Sequence, residues 1–319
     1  MSDAQRTFSR VFAPGSIGNL GPGFDTLGLA VAGAGDTVTA RRIDAKAGAG
    51  QITILSAGHP DLPLDPDLNS GGIAARDVLR QAGSKIAVSL SIEKGLPLSA
   101  GLGGSAASAV AAAVAVNLLL GSPLDENALL AASLAGEAAV AGCHLDNVAP
   151  SLLGGAVLVR SIDPIDAIRL PVPAGLLAVL ATPDAELRTA EARRVLPKEV
   201  SRAVAVHQLA HTGALIAGLC IGDLALIGRA IDDRIAEPVR APLLAGFAEA
   251  KAAALAAGAL GASISGSGPT AFALAGDRAT AERIAAAMRD AYAARGIAST
   301  VRIAEVDRQG ARELPGDDA

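Results

Sequence analysis

The chain has 319 residues, 51% hydrophobic, 18% charged and only 2% aromatic, with a net charge of −5 and a pI near 5.4. This composition excludes a disordered chain. It also argues against a nucleic-acid surface, because there is no basic field for phosphate backbones and there are few rings on which bases stack.

The length predicts two domains, and the scarcity of aromatics predicts an aliphatic, alanine-rich core. Strands are expected over 6–12, 36–43, 51–55 and 85–92, each short, partly alternating and bounded by Gly, Pro or Asp. The segment 13–28 between the first two reads as irregular, exposed backbone. Asn69 and Ser70 open a helix over 70–82. Helices over 104–120 and 125–140 are separated by Gly121-Ser122-Pro123, and 155–160 reads as a strand. The Pro- and Asp-rich stretch 161–175 suggests a boundary, giving domains 1–168 and 169–319. Beyond it come a strand at 176–181, helices at 199–219, 222–231 and 240–257, strands at 260–264 and 270–275, a helix at 278–294 and a strand at 299–305. The tail 309–319 reads as polar and frayed. Grouped strands with paired helices indicate an α+β fold rather than a doubly wound sheet.

Two isolated cysteines, Cys143 and Cys220, make no disulfide framework. The first residues carry no apolar leader. The longest apolar run, Ala109 to Val116, falls short of the roughly 18–20 residues of a membrane span. A soluble, cytoplasmic chain with neither membrane nor nucleic-acid partner is expected. Periodicity does not separate a dimer-forming face from core-facing stripes, so a homodimer stays open.

The most marked stretch runs Pro97, Leu98, Ser99, Ala100, Gly101, Leu102, Gly103, Gly104, Ser105, Ala106, Ala107. Glycines here let the backbone turn tightly or approach a ligand closely. Ser105 falls near the start of the next helix, where unpaired amides and the helix dipole favour an anion and its hydroxyl could reach Mg²⁺. There is no Gly-Lys-Ser/Thr, which excludes a Walker loop. A dinucleotide fingerprint needs a strand running directly into the first glycine, and Glu93 to Ala100 intervene. Phosphate binding and close helix packing both remain open from this stretch alone.

Four other stretches carry candidates. In 13–28, Asn19 could hydrogen-bond a substrate and Asp25 could hold an ammonium, or both could serve turns. In Gly142-Cys143-His144-Leu145-Asp146-Asn147, adjacent Cys143 and His144 are poorly spaced to chelate one metal, and Asp146 or Asn147 could cap a helix. Arg193 and Arg240 could each clamp a carboxylate, or pair with Glu on a helix surface. The turn Ile264-Ser265-Gly266-Ser267-Gly268-Pro269-Thr270 suits a substrate or any hairpin.

The order of these pieces resembles the GHMP small-molecule kinases. Three stretches, HLDNVAP (144–150), TAEARRVLP (189–197) and IAEPVRAPLLAGF (235–247), are similar to the homoserine kinases among them. The resemblance runs from about Phe8 to Ala311. It implies an N-terminal domain like the second domain of ribosomal protein S5 and a C-terminal ferredoxin-like α/β sandwich. It implies ATP on Pro97–Ala107, and Mg²⁺ facing Ser105 and Glu137. It also implies L-homoserine held at its amino and hydroxyl end by Asn19, Asp25, His144 and Asn147. Thr189, Arg193 and Arg240 would lie near its carboxylate, and Gly266 and Ser267 would close the site. Asn147, Asp146 and Asn19 are the implied catalytic residues. Asp146 is the nearest candidate base, although homoserine kinases look able to work without one. Two departures stand out. Gly104 replaces the family's first loop serine, and the spacing from Glu137 to Asp146 is one residue shorter than in some relatives. The alternatives are another GHMP kinase acting on a mevalonate-type alcohol, which has no ammonium for Asp25, and a catalytically silent nucleotide-binding regulator.

Overall fold

A computed structural model describes residues 6–43, 50–185, 187 and 189–315. The first sheet is built on β1 (Phe8–Gly18) and β2 (Leu27–Ile43), antiparallel from Phe8↔Arg41 to Gly18↔Gly28. β4 (Ala87–Glu93) pairs antiparallel with β2, and β3 (Ile52–Ser56) lies parallel to β4. β5 (Ala156–Ile162) pairs with the start of β2, and β6 (Ile165–Leu170) pairs with β5. β11 (Arg312–Glu313) returns from the far end of the chain to pair with β1.

One face of this sheet is covered by α1 (Ser70–Gln81), α2 (Gly104–Leu119), α3 (Glu126–Val140) and α4 (Val148–Leu153). α2 is apolar almost all round, as a helix buried on every side must be. It packs against β1, β2, α1, α3 and α4. Its alanines, Ala106 to Ala113 among them, are fully buried. Small side chains let five neighbours approach one helix axis, which accounts for the alanine-rich composition.

The second sheet holds β7 (Leu177–Pro183), β8 (Gly261–Ile264), β9 (Ala271–Ala275) and β10 (Ser299–Glu305), in the antiparallel order β10-β7-β9-β8. That order is the ferredoxin-like arrangement. α9 (Phe247–Ala256) and α10 (Arg278–Ala294) cover one face through Phe247, Met288 and Tyr292. The other face, through Leu180, Phe272 and Leu274, joins α6 (Arg202–Ile221) and α7 (Leu224–Ala230) in the larger core. Two short helices, α5 (Thr189–Arg194) and α8 (Glu237–Arg240), flank the cleft.

Four expectations need correction. The segment 13–28 is mostly buried rather than exposed, and only its middle, 19–26, is irregular, because β1 runs to Gly18 and β2 starts at Leu27. Its glycines serve close packing: a Cβ on Gly28 would sit 1.7 Å from the carbonyl oxygen of Asp146. The expected helix 240–257 is broken by Gly246, at φ 79, which caps α9. The first sheet runs past 168 to Leu170 and takes back 312–313, which is not frayed there: Arg312 pairs with buried Asp307 at 2.9 Å. Finally, α6 is long and apolar enough to cross a membrane by length and composition. It nevertheless packs Leu215 and Leu219 into the core and carries Arg202, His207, Gln208 and His211.

Candidate active site

A cavity of about 470 Å³ is lined from Asn69, Ser70, Pro97, Gly103 and Ser105 through Glu137 and His144 to Arg193, Arg240 and Ser267. One end is built on the glycine loop. Gly103 is the N-cap of α2, in the left-handed conformation at φ 67 and with no capping side chain. The first-turn amides of α2 therefore face the cavity end with no intrahelical partner. Gly104 and Ser105 line it.

Two glycines of the loop are required by packing as well. A Cβ on Gly101 would lie 2.5 Å from the Ser265 carbonyl, and one on Gly103 would lie 2.4 Å from the Ser16 hydroxyl. The C-terminal turn is pinned here: the Ser265 hydroxyl donates to the Gly101 carbonyl at 2.7 Å, and the Thr270 amide to that of Ala100 at 3.2 Å. Packing thus accounts for Gly101 and Gly103, while Gly104 lines the cavity. Leu102, Ala106 and Ala107 are corrected: the first, before α2, and the other two, in its first turn, are buried in the core. They do not line the cavity.

Lys94 went unremarked in the sequence. It lines the cavity, forms a buried ion pair with Asp36, and donates to the Gly104 carbonyl at 2.9 Å and Ser108 Oγ at 3.0 Å. Asp36 also accepts from Ser108 at 2.6 Å and from the Gly95 amide at 3.1 Å. The only available signal was a lysine directly after an amphipathic strand. Its partner lies far away in the chain, on β2.

Glu137, from α3, is 2% exposed and its Oε2 has no hydrogen-bond partner. Burial pushes its carboxyl above the ordinary value, while the Ser105 hydroxyl and His144 pull it down. The side chains of Ser105 and Glu137 therefore meet at the foot of α2.

The other end is assembled from both halves of the chain. Asn19 (φ 66) and Asp25 (φ 55) are left-handed, a conformation that Asn and Asp tolerate best and that clusters at functional sites. The Asn19 side chain donates to the Gly266 carbonyl at 3.0 Å and accepts from the Asp25 amide at 3.0 Å. Asp25 pairs with Arg193 at 2.8 Å, both about one-third exposed. Arg240 is 3% exposed. It donates to the carbonyls of Gly266 at 2.9 Å and Ala192 at 3.2 Å. Burial and the neighbouring Arg193 charge lower its pKa from the usual value.

His144 Nδ1 lies 2.6 Å from Asp146 Oδ1. Burial disfavours the charged imidazole, yet the bond and charge of Asp146 outweigh it and hold the His144 pKa above its ordinary value. Asp146 also accepts the Asn19 amide at 3.0 Å. Asn147 precedes α4 but makes no capping bond. Its Oδ1 accepts from the Ser16 hydroxyl at 2.9 Å. Capping is thus not what Asp146 and Asn147 do. Thr189 opens α5, and its side chain lies outside the described residues, as does Arg188. Cys143 and Cys220 are exposed free thiols.

The GHMP kinase N-terminal domain matches over residues 70–155 and the GHMP kinase C-terminal domain over 215–294, so the class is that of the GHMP kinases. A homoserine kinase of Chlorobium phaeovibrioides is 42% identical, covering 96% of this chain and 99% of its own. One of Arabidopsis thaliana is 42% identical over 95% of this chain and 84% of its own. The crystal structure of a homoserine kinase from Cytophaga hutchinsonii superposes with a TM-score of 0.92 at 42% identity, covering 98% of this chain and 99% of that one. The chain belongs to the homoserine kinase family.

Proposed function

We propose that this enzyme transfers the γ-phosphoryl group of ATP to the hydroxyl of L-homoserine, forming O-phospho-L-homoserine for threonine biosynthesis. The observation that carries the acceptor is the Asp25–Arg193 pair beside Arg240 at one end of the cavity. A zwitterionic amino acid offers the complementary pair, an ammonium for Asp25 and a carboxylate for the arginines. A mevalonate-type acid would leave Asp25 without a cationic partner from the substrate.

The phosphates of ATP belong at the α2 N-terminus, where open amides and the helix dipole favour negative charge. Ser105 and Glu137 would hold Mg²⁺. A buried carboxylate oxygen without a partner, next to a hydroxyl, suits a hard cation that takes oxygen ligands. The ion, when bound, neutralises charge on the phosphates. Phosphoryl transfer has a loose transition state, so the protein's task is to align donor and acceptor and to stabilise spread charge.

Asp146 is a positioning residue in this reading. Its oxygens already accept bonds from the Asn19 amide and His144, so it sets their directions rather than taking a proton. His144 Nε2 is buried, has no partner and belongs to a residue of the cavity wall. It is placed to donate to an acceptor oxygen. A homodimer finds its support in α6, which leaves Val206, Leu209 and Ile221 exposed along one stripe.

The test is ADP release from Mg·ATP with L-homoserine, mevalonate or L-serine, with the phosphorylated product identified by mass. Release that depends on L-homoserine and yields phosphohomoserine is expected. Release with mevalonate alone would discard the amino-acid reading while keeping the phosphate loop. ATP binding without turnover on any acceptor would indicate a silent regulator.

A further inference from the structure

Outside the cavity, a second group of ligating side chains converges where α6 meets the segment after α7. His207 and His211 lie one turn apart on α6, so their rings project from one side of the helix. The rings stack with centroids 3.9 Å apart and planes 25° from parallel. Asp232, which follows α7, brings its Oδ2 to 3.1 Å from His207 Nε2. One ligand atom from each of the three residues lies within 4.8 Å of the other two.

We propose that His207, His211 and Asp232 bind a transition-metal ion of the zinc class, at a site separate from the catalytic cavity. Two details point to a ligand rather than to a simple polar cluster. First, His207 Nε2 is buried and makes no hydrogen bond of normal geometry, although the Asp232 carboxylate is adjacent. The pair approaches without the alignment a hydrogen bond needs, as two ligands of a common ion do. Second, His211 Nδ1 lies 3.2 Å from the Ala230 carbonyl. A carbonyl only accepts, so Nδ1 carries the proton and Nε2 keeps its lone pair for a ligand. Metal-binding histidines are oriented in this way by a carbonyl or carboxylate behind them.

The donor set selects the ion class. Two imidazoles and one carboxylate suit zinc and its neighbours, whereas magnesium and calcium take oxygen ligands. Three protein ligands leave a fourth position for water. Arg234 competes weakly for the same carboxylate, at 3.5 Å and from an exposed position; an ion of higher charge displaces it.

The site would tie two elements that position the substrate arginine. Asp233, next to Asp232, accepts the Ile235, Ala236 and Glu237 amides at 2.8–3.2 Å and so shapes the start of α8, which carries Arg240. Gln208, next to His207, donates to Asp233 at 3.0 Å and to the Pro22 carbonyl at 2.8 Å. A bound ion adds a further link between α6 and this segment, so it should raise the melting temperature.

The test uses the tag-free full chain, stripped with a chelator and titrated with Zn²⁺ against a chromogenic competitor. The wild type should hold one Zn²⁺ per chain and melt at a higher temperature with it. His211→Ala and Asp232→Asn should each weaken binding at least about tenfold. Asp232 is half-exposed, so its isosteric variant keeps the fold even if His211→Ala does not. His144→Asn and Cys143→Ser with Cys220→Ser should bind as the wild type does. The proposal falls if the wild type takes up no zinc at micromolar concentration. It also falls if both His211→Ala and Asp232→Asn bind unchanged, or if binding disappears with His144→Asn or the cysteine variants.

Discussion

The two ends of the cavity are made differently. The end we assign to phosphate comes from one continuous stretch, the loop and first turn of α2, backed by a buried Lys94–Asp36 pair. The acceptor end is gathered from β1, the loop before β2, the approach to α4, α5, α8 and the β8–β9 turn. Its charged groups include a pair about one-third exposed, Asp25 with Arg193, and a buried arginine bonded to carbonyls. The first end is preset by backbone and a sequestered ion pair. The second is held by polar contacts, some of which a zwitterionic substrate must replace. Phosphate geometry is common to every ATP, whereas acceptor recognition needs side chains that exchange partners.

The largest effect should come from breaking the preset end. Removing one partner of a buried ion pair leaves an uncompensated charge, so Lys94→Ala should cost about 3–5 kcal/mol of stability, measured by urea unfolding. A loss below about 1 kcal/mol would mean the pair behaves like a surface contact. Glu137→Gln should lower kcat by about 10²–10³, the range for losing one group that stabilises transition-state charge. The same variant should be more stable at neutral pH without Mg·ATP. The folded pKa of Glu137 is raised from 4.5, so its favourable contribution is full below that value and lost as pH rises through the folded one. Thermal melts should show the gain at neutral pH and none below pH 4.5.

Asp146→Asn should keep turnover within about tenfold of wild type, because a lost general base costs about 10²–10⁴; a drop in that range in steady-state kinetics would make Asp146 the base. The smallest effect concerns Gly104. A Cβ there would lie 3.4 Å from Lys94 Nζ, an ordinary contact, so Gly104→Ser should fold. One added hydrogen bond of about 0.5–1.5 kcal/mol should lower the KM for ATP by no more than about tenfold.

The same contrast explains what was legible in the sequence. The loop from Pro97 to Ser105 stood out from its glycines before a helix, because amides at a helix start are a local property, although the stretch alone left packing and phosphate binding open. The α+β class followed from grouped strands. Lys94 could not be recognised, since its partner Asp36 is distant in the chain and only the pairing of β2 with β4 brings them together. The burial of 13–28 was missed for a related reason. Its glycines look like a loop, but they let β1 and β2 pack against the chain at Asp146 and Asn147. Asn19, Asp25, Arg193 and Arg240 were each ambiguous singly, and the resemblance, not spacing, joined them. In the structure Asn19 and Arg240 both donate to the Gly266 carbonyl, and Asp25 and Arg193 join them through Asn19.

The central claim is that the acceptor end reads the carboxylate of an amino acid independently of the phosphate end. The most direct test is the KM of each substrate for Arg240→Ala, with circular dichroism confirming the fold. The loss of one charge-assisted contact, about 1.5–3 kcal/mol, should raise the homoserine KM roughly ten- to a hundredfold and leave the ATP KM in place. A rise in the ATP KM alone would contradict this division of the site.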